Sequence, residues 1–168
     1  LFSLFYPLNT MYRPHNNPLM ESVISKGRLR SIQSLIDRSD FRSILKSLTR
    51  NEIVWYAPDQ DFGPKHSVYA NFFGVAAATI PTTAKLAKIS KAPVLMLTHH
   101  RNKTGGYNLR VHPAISPFPL DDEIASATRI NKEIEMGIRY DPAQYMWVHR
   151  RFKTHPKGKN HLYKAEKS

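Results

Sequence analysis

The stretch that decides the fold is Asn51-Glu52-Ile53-Val54-Trp55-Tyr56-Ala57-Pro58-Asp59-Gln60-Asp61-Phe62-Gly63. Residues 53–56 form a short apolar run of β-prone residues closed by Pro58 and Gly63, which predicts a buried strand rather than a helix. Asp59, Gln60 and Asp61 follow at once. Because chemistry in α/β sheets collects beyond the carboxyl ends of strands, these three residues predict a polar site there. The alternative is an ordinary solvated turn.

The residues just before this strand predict a helix. Ser39 and Asp40 form a cap, and the apolar positions after them fall on one stripe: Phe41, Ile44, Leu45 and Leu48. A helix that leads directly into a strand is typical of parallel α/β sheets. We therefore predict an α/β fold with a mostly parallel central sheet and flanking helices.

The rest of the chain supplies further elements. Strands are predicted over residues 10–13, 93–97 and 107–111, with an irregular segment over 65–74 and a polar loop over 99–103. Helices are predicted from Pro18, over residues 76–91 and after Asp122. The expected inward-facing residues of the first and last of these helices are Leu19, Val23 and Ile24, and Ile124, Ala127, Ile130, Ile134 and Ile138.

Length and charge limit the classes of function. The chain has 168 residues, which suits one domain, and its net charge of +12 favours polyanionic partners. Residues 150–168 carry seven Lys or Arg against one acid, so we predict a domain over 1–153 and a basic tail over 154–168. The absence of cysteine excludes disulfides and thiolate metal sites. No apolar run approaches the roughly 18 residues that span a bilayer.

Few catalytic motifs are visible. His99 and His100 are adjacent and would point to opposite faces of a strand, so no metal site is predicted. Phosphate-binding glycine loops and a serine nucleophile elbow are absent. Arg13, Arg28 and Arg30 suit an anion clamp, the alternative being surface ion pairs. Nucleic acid binding is an alternative that rests on charge alone.

Several blocks together resemble the late acyltransferases of lipid A biosynthesis, the lauroyl and myristoyl transferases, within the lysophospholipid acyltransferase superfamily. They follow the family order over nearly the whole chain. The matching blocks are Tyr12-Arg13-Pro14 with Asn17-Pro18, Gly27-Arg28, residues 55–63, Phe72-Phe73-Gly74 with Ala77-Ala78-Thr79, and residues 144–153.

The resemblance implies a reaction and its partners. An acyl chain would move from an acyl carrier protein thioester to a hydroxyl of a phosphorylated glycolipid acceptor, a lipid A precursor. No cofactor and no nucleic acid partner are implied. The expected place is the cytoplasmic face of the bacterial inner membrane, with an anionic membrane surface as a further partner. A sister acyltransferase on another glycolipid or lysophospholipid is the close alternative, and a non-catalytic basic module is the distant one.

The chain departs from the family at the catalytic motif. The family uses a histidine followed five positions later by an acid, and this pair should lie before Tyr12. His161 and Glu166 have the spacing but lie in the tail, far from that place. No catalytic residue is therefore assigned. Leu1 stands in apolar sequence, and we expect the catalytic pair and the amino-terminal anchor upstream of it, in a longer protein of which this is the carboxyl-terminal part.

The positions of the matching motifs imply which residues of this chain bind the acceptor. Arg13 resembles the superfamily arginine that contacts the anionic part of the acceptor, and Asp59-Gln60-Asp61 resembles the block that shapes the acceptor site. We expect at least one aspartate to pair with Arg13, Arg28 or Arg30.

The last motif block carries its own prediction. We expect Arg150, Arg151 and Lys153 to contact the membrane or the carrier protein. The alternative is that residues 147–153 pack across the sheet.

Overall fold

The computed structural model describes residues 2–163. The chain forms two compact units, Leu1–Ala57 with Ile89–Ala92, and Pro58–Lys88 with Pro93–Ser168. None of the helices in residues 2–163 combines the length and the apolar character that crossing a bilayer requires. The predicted boundary after residue 153 stays a prediction.

The first unit contains a small parallel sheet. Its strands are β1 (Leu8–Tyr12), β2 (Ser34–Asp37) and β3 (Ile53–Trp55), in the order β2-β1-β3. Both neighbours run parallel to β1, and Thr10 lies opposite Leu35 on one side and opposite Trp55 on the other. The predicted α/β class and parallel pairing are confirmed for these three strands.

Two capped helices accompany this sheet. Helix α1 (Pro18–Leu29) begins after Asn17, whose side chain accepts hydrogen bonds from the first free amides. Helix α2 (Phe41–Thr49) begins after Asp40, whose carboxylate accepts the Ser43 N–H at 3.0 Å. The predicted stripe of α2 is confirmed, because Ile44 is fully buried while Arg42 is exposed.

Two predictions of burial in the first unit are wrong. Leu19 and Val23 on α1 are exposed, because this helix turns a polar row toward the protein. Ile53 and Trp55 are also exposed. They lie two residues apart and therefore on the same face of β3, and among residues 2–163 this face stays open to solvent.

The second unit contains a β-hairpin over residues 68–79. The sequence predicts an irregular segment and the start of a helix there. Strands β4 (Val68–Phe72) and β5 (Val75–Thr79) pair antiparallel. Phe73 and Gly74 form the two-residue turn, both with positive φ, which is the geometry that joins hairpin strands tightly. The alanine-rich run of β5 suggested a helix that starts too early, and α3 (Thr82–Ser90) begins only after Pro81.

A second hairpin and a long helix complete this unit. Strands β6 (Leu95–Arg101) and β7 (Tyr107–Ala114) pair antiparallel, so β6 extends into the predicted polar loop. Helix α4 (Glu123–Tyr140) places Ile130, Ile134 and Ile138 in the core against Phe72, while Ile124 is exposed, contrary to expectation. The strands described in this unit form two antiparallel hairpins, so within residues 2–163 parallel pairing is confined to the first unit.

Two helical glycines provide a matched test of this packing. A Cβ on Gly137 of α4 would lie 2.7 Å from Cγ2 of Thr98, whose hydroxyl is fixed by His112, whereas a Cβ on Gly27 of α1 meets nothing within 4 Å. We expect Gly137→Ala to lower the free energy of unfolding by about 1–3 kcal/mol. Gly27→Ala should raise it by about 0.5–1 kcal/mol, since alanine favours helix. Urea denaturation of both variants measures the difference, and equal effects would contradict the packing described.

Candidate functional site

A cleft in the first unit brings together two of the predicted anion-binding arginines. Arg13, which follows β1, and Arg28, in the last turn of α1, both line a cavity of about 350 Å³. Ile24 adds an apolar patch to the wall. We call this cavity, with Arg13, His15, Glu21, Ile24 and Arg28 in its wall, the anion cleft.

The one carboxylate of the anion cleft is held by groups of the protein. Glu21 accepts the Tyr12 hydroxyl at 3.1 Å and the His15 backbone N–H at 2.6 Å. Desolvation first, and then the bond to Glu21, raise the pKa of Tyr12 above its usual value, so the phenol stays a donor. Arg28 lies over the Tyr12 ring at 5.9 Å. The cleft therefore offers two guanidinium groups and a carboxylate that is already bonded, which suits an anionic ligand.

His15 is a further donor in this cleft. Its Nδ1 accepts the Asn17 backbone N–H at 3.1 Å, so in the neutral ring the proton is assigned to Nε2. The segment between β1 and α1 is thereby folded back on itself, with Asn17 acting as cap at the same time. His15 is not among the site residues that the sequence predicted.

The second cluster surrounds the turn after Pro58. Asp61 is only 7% exposed, and its carboxylate accepts the Gly63 N–H at 2.8 Å and the Thr154 N–H at 2.6 Å. The Asp61 backbone N–H donates to Nε2 of His149 at 3.0 Å. Residues from the end of the chain thus hold Asp61 on both sides, and its carboxylate faces protein donors rather than an open cavity.

Arg151 joins the same cluster to the β4–β5 hairpin. It is 2% exposed and donates to the Ala78 carbonyl at 2.6 Å and to the Thr79 hydroxyl at 2.8 Å. Asn131 on α4 bonds Thr79 and the Asn71 carbonyl, and so completes the network. Burial lowers the pKa of Arg151, while Tyr145, Asp59 and Asp61 act in the opposite direction.

The two other residues of the predicted triplet are less enclosed. Asp59 is half-buried, and its carbonyl accepts the Tyr145 hydroxyl at 3.5 Å. Burial, and then the charge of Asp59, raise the pKa of Tyr145 above its usual value. Gln60 is exposed. Of the triplet, Gln60 and Asp59 are therefore the residues that a ligand can reach.

The predicted site residues fall into two groups. Arg13 and Arg28 share the anion cleft, whereas Arg30 is exposed after the end of α1 and is not among the residues that line it. Asp59, Gln60 and Asp61 belong to the other unit. The expected pairing of an aspartate with Arg13, Arg28 or Arg30 stays a prediction.

The basic motif residues differ in burial. Arg151 is bonded inside the second unit, which favours the packing alternative for this residue. Arg150 is exposed and Lys153 is half-buried, and their contact with a membrane or a carrier protein stays a prediction. His161 is described, whereas Glu166 lies outside the described residues.

Sequence reasoning missed the residues that hold the two clusters. Glu21 and His15 lie near Arg13 in the chain. The carboxylate in the first turn of α1 was a signal that hydrogen-bond donors upstream of the helix needed an acceptor. His149 and Thr154 lie 88 and 93 residues from Asp61. No local pattern in one sequence encodes such a distant contact.

Comparison with known proteins identifies the family. The profile of the bacterial lipid A biosynthesis acyltransferases matches residues 2–154. The chain is 44% identical over 165 residues to the lipid A biosynthesis palmitoleoyltransferase of Escherichia coli (strain K12), covering 97% of this chain and 54% of that protein. It is 43% identical over 159 residues to the lauroyltransferase of the same organism, covering 94% and 52%.

A third relative is more distant. The lipid A biosynthesis myristoyltransferase of Escherichia coli (strain K12) is 31% identical over 158 residues, covering 93% of this chain and 49% of the relative. The chain spans about half the length of the curated relatives that it matches. The chain belongs to the bacterial lipid A biosynthesis acyltransferase family.

Proposed function

We propose that this protein takes part in transferring an acyl chain to a hydroxyl of a phosphorylated lipid A precursor, and that this chain supplies the acceptor's anion-binding cleft. The observation that carries the proposal is the meeting of Arg13 and Arg28 in one cavity. Family membership supports the reaction class, and the names of the relatives, palmitoleoyl- and lauroyltransferase, support an acyl donor.

The cleft suits a phosphate better than a neutral sugar. A guanidinium presents paired N–H donors that match phosphate oxygens, and two of them in a cavity of about 350 Å³ give both charge and orientation. Glu21 keeps its negative charge, but two guanidinium groups outnumber this one carboxylate, and its oxygens already accept bonds from Tyr12 and His15. Holding the acceptor by its phosphate would fix the position of the hydroxyl, which is how binding energy lowers the barrier to reaction.

The finer parts of the proposal concern groups outside this cleft. The acyl donor is an acyl carrier protein thioester, whose acidic carrier suits the basic surface of this chain. The catalytic histidine and its acid lie in the part of the relatives' length that this chain does not match. There the histidine would take the proton of the acceptor hydroxyl. The protein works at the cytoplasmic face of the bacterial inner membrane.

An exchange of halves tests the proposed reaction. The matched half of the Escherichia coli palmitoleoyltransferase is replaced by this chain, and acyl transfer from acyl carrier protein to a lipid A precursor is measured. We expect the hybrid to transfer acyl groups, and a hybrid with Arg13→Gln to lose most of that activity. A folded hybrid that binds the acceptor without transferring an acyl group would favour the non-catalytic binding module.

The anion cleft makes a direct prediction for binding. Arg13→Gln and Arg28→Gln should each weaken binding of the phosphorylated acceptor to the 168-residue chain by about ten- to a hundredfold, because each removes a charge-assisted contact. Isothermal titration against the phosphorylated and the dephosphorylated acceptor measures this. Arg42→Gln, which removes an exposed charge from α2, is the control. Equal affinity for both acceptors would refute the phosphate assignment.

A further inference from the structure

Helix α1 presents its apolar residues to the outside. Leu19 is 74% exposed and Val23 is 62% exposed, although the two lie one turn apart on the same row of the helix. The row that faces the protein contains Glu21 and Ser25, both partly buried. A surface helix ordinarily does the reverse and turns its apolar stripe to the core. The inversion leaves an apolar stripe without a partner among residues 2–163.

The contacts of the inner row explain why the helix is held in this orientation. Glu21 bonds the Tyr12 hydroxyl and the His15 N–H, and the Ser25 hydroxyl donates to the Glu21 carbonyl at 2.7 Å. The two bonds of the Glu21 carboxylate fix the polar row against the end of β1 and the residues that follow it, whereas the Ser25 bond lies within the helix. Rotating the helix to bury Leu19 and Val23 would break the two Glu21 bonds, so the exposure of the apolar stripe is built into the fold.

A third row of the helix connects the stripe to the anion cleft. Met20, Ile24 and Arg28 follow one another at four-residue intervals, from a 46% exposed methionine to an arginine in the cleft wall. An apolar surface therefore borders a cationic cavity along the length of one helix. This arrangement matches an amphiphile that has an anionic head and apolar chains.

The charges at the end of α1 are of one sign. Lys26 and Arg28 lie in its last turn, and Arg30 follows directly; all three are exposed. The acid of this helix, Glu21, faces inward. Basic side chains that flank an exposed apolar stripe extend to phosphate groups while the stripe enters the acyl region.

We propose that α1 is an interfacial helix that docks the first unit on an anionic lipid bilayer, with Leu19, Met20 and Val23 inserted among the acyl chains. This extends the proposed membrane setting, and it places the mouth of the anion cleft at the level of lipid phosphates. The apolar stripe supplies the insertion, and Lys26, Arg28 and Arg30 supply the attraction to the charged surface.

Charge complementarity favours a bilayer over a second copy of this chain. The net charge of the chain is +12, and the face in question has basic side chains at one end. Two copies docked through α1 would bring these charges together, which opposes association. An anionic bilayer offers the opposite charge and an apolar layer in the same place.

A paired substitution tests the apolar stripe. Binding of the 168-residue chain is measured by co-sedimentation with vesicles of phosphatidylglycerol and phosphatidylcholine. Leu19→Gln with Val23→Gln should weaken binding at least about tenfold, because two apolar side chains no longer enter the bilayer. Glutamine favours helix, so α1 is preserved.

The matched control removes two exposed apolar side chains from another helix. Ile124→Gln with Met136→Gln on α4 should leave binding unchanged. The proposal is overturned if the unaltered chain does not bind these vesicles, if the α1 variant binds as the unaltered chain does, or if the α4 variant loses as much.

A fluorescent label reports the environment of the helix directly. The chain has no cysteine, so Val23→Cys gives a single position for an NBD label, and Met136→Cys gives the control. On adding anionic vesicles, we expect a blue shift and increased emission at position 23 and no change at position 136. A label at 23 that is already shielded without vesicles, with a dimeric mass in ultracentrifugation, would show instead that a second copy covers the stripe.

These measurements are independent of acyl transfer. Vesicle binding needs neither an acyl donor nor a catalytic pair, so a failure of the hybrid enzyme leaves the bilayer test intact. A chain that binds acceptor phosphate in solution but ignores vesicles would retain the proposed function and lose this inference.

Discussion

Replacing Arg151 by methionine is expected to lower the free energy of unfolding by about 3–5 kcal/mol. The guanidinium is 2% exposed and bonds Ala78 O and the Thr79 hydroxyl. Methionine fills a similar volume but donates nothing. The loss therefore reports two lost hydrogen bonds, to the Ala78 carbonyl and to a Thr79 hydroxyl that keeps its bond from Asn131, rather than a cavity.

Arg151 also acts through charge. The charges of Asp59 and Asp61 raise the pKa of Arg151 against the effect of burial, so removing the guanidinium also removes a favourable electrostatic interaction with both carboxylates. It further covers the Phe72 ring, with Cζ 5.1 Å from the ring centre. Arg151→Lys keeps the charge and loses the planar fork, so we expect an intermediate loss of about 1–3 kcal/mol. The loss in Arg151→Lys reports the donor geometry of the guanidinium. The additional loss in Arg151→Met reports its charge.

The neighbouring residue is the control for both variants. Arg150 is exposed, and its guanidinium lies over the Tyr163 ring at 5.6 Å. Arg150→Met should change stability by less than about 0.5 kcal/mol, as surface substitutions do. Chemical denaturation followed by circular dichroism measures all three. Equal losses at positions 150 and 151 would contradict the buried network, and an unfolded Arg151→Met variant beside a folded Arg151→Lys variant would support it.

The local elements were predictable where a residue acts through its chain neighbours. Asn17 and Asp40 cap helices because their side chains accept hydrogen bonds from backbone N–H groups of the first turn. The buried stripe of α2 follows from the helical spacing of its apolar residues. The helix-to-strand order before β3 predicted parallel pairing, which the first unit shows. The resemblance of the motif blocks to the acyltransferases predicted the family.

Elsewhere the sequence misled because its local pattern was ambiguous. The alanines of β5 favour helix in isolation, yet they pair with β4 because Phe73 and Gly74 adopt the hairpin turn. The apolar residues of α1 predicted a buried face, and the bonds of Glu21 reversed it. In both places a non-local contact outweighs local preference.

Of the candidate site, the sequence indicated the arginines and the Asp59–Asp61 triplet but not their surroundings. It offered Arg13, Arg28 and Arg30 as an anion clamp with surface ion pairs as the alternative, and the structure adds that Arg13 and Arg28 share a cavity with His15. The burial of Arg151 was one of two alternatives, and charge alone favoured neither. Only packing against Thr79 and Asn131 distinguishes a surface arginine from an internal one.

Replacing Asp61 by alanine is expected to lower the free energy of unfolding by about 2–4 kcal/mol, because one buried and one partly buried backbone donor lose their acceptor. These are the N–H groups of Gly63 and Thr154, at 2.8 Å and 2.6 Å from the carboxylate. Asp61→Asn keeps the size but turns an NH₂ group toward one of the donors. It should therefore cost nearly as much as alanine, which excludes lost volume as the cause.

The same residue was predicted to bind substrate, and the two roles give opposite patterns. If Asp61 acts by holding the turn, Asp61→Ala should reduce stability strongly, while Gln60→Ala, at an exposed position, should leave stability unchanged and weaken acceptor binding. If Asp61 contacts the acceptor, its variants should weaken binding at full stability. Urea denaturation together with acceptor titration of both variants separates the patterns. Since the protein itself already satisfies both oxygens of Asp61, we expect the first pattern, in which Asp61 positions the turn and Gln60 and Asp59 meet the ligand.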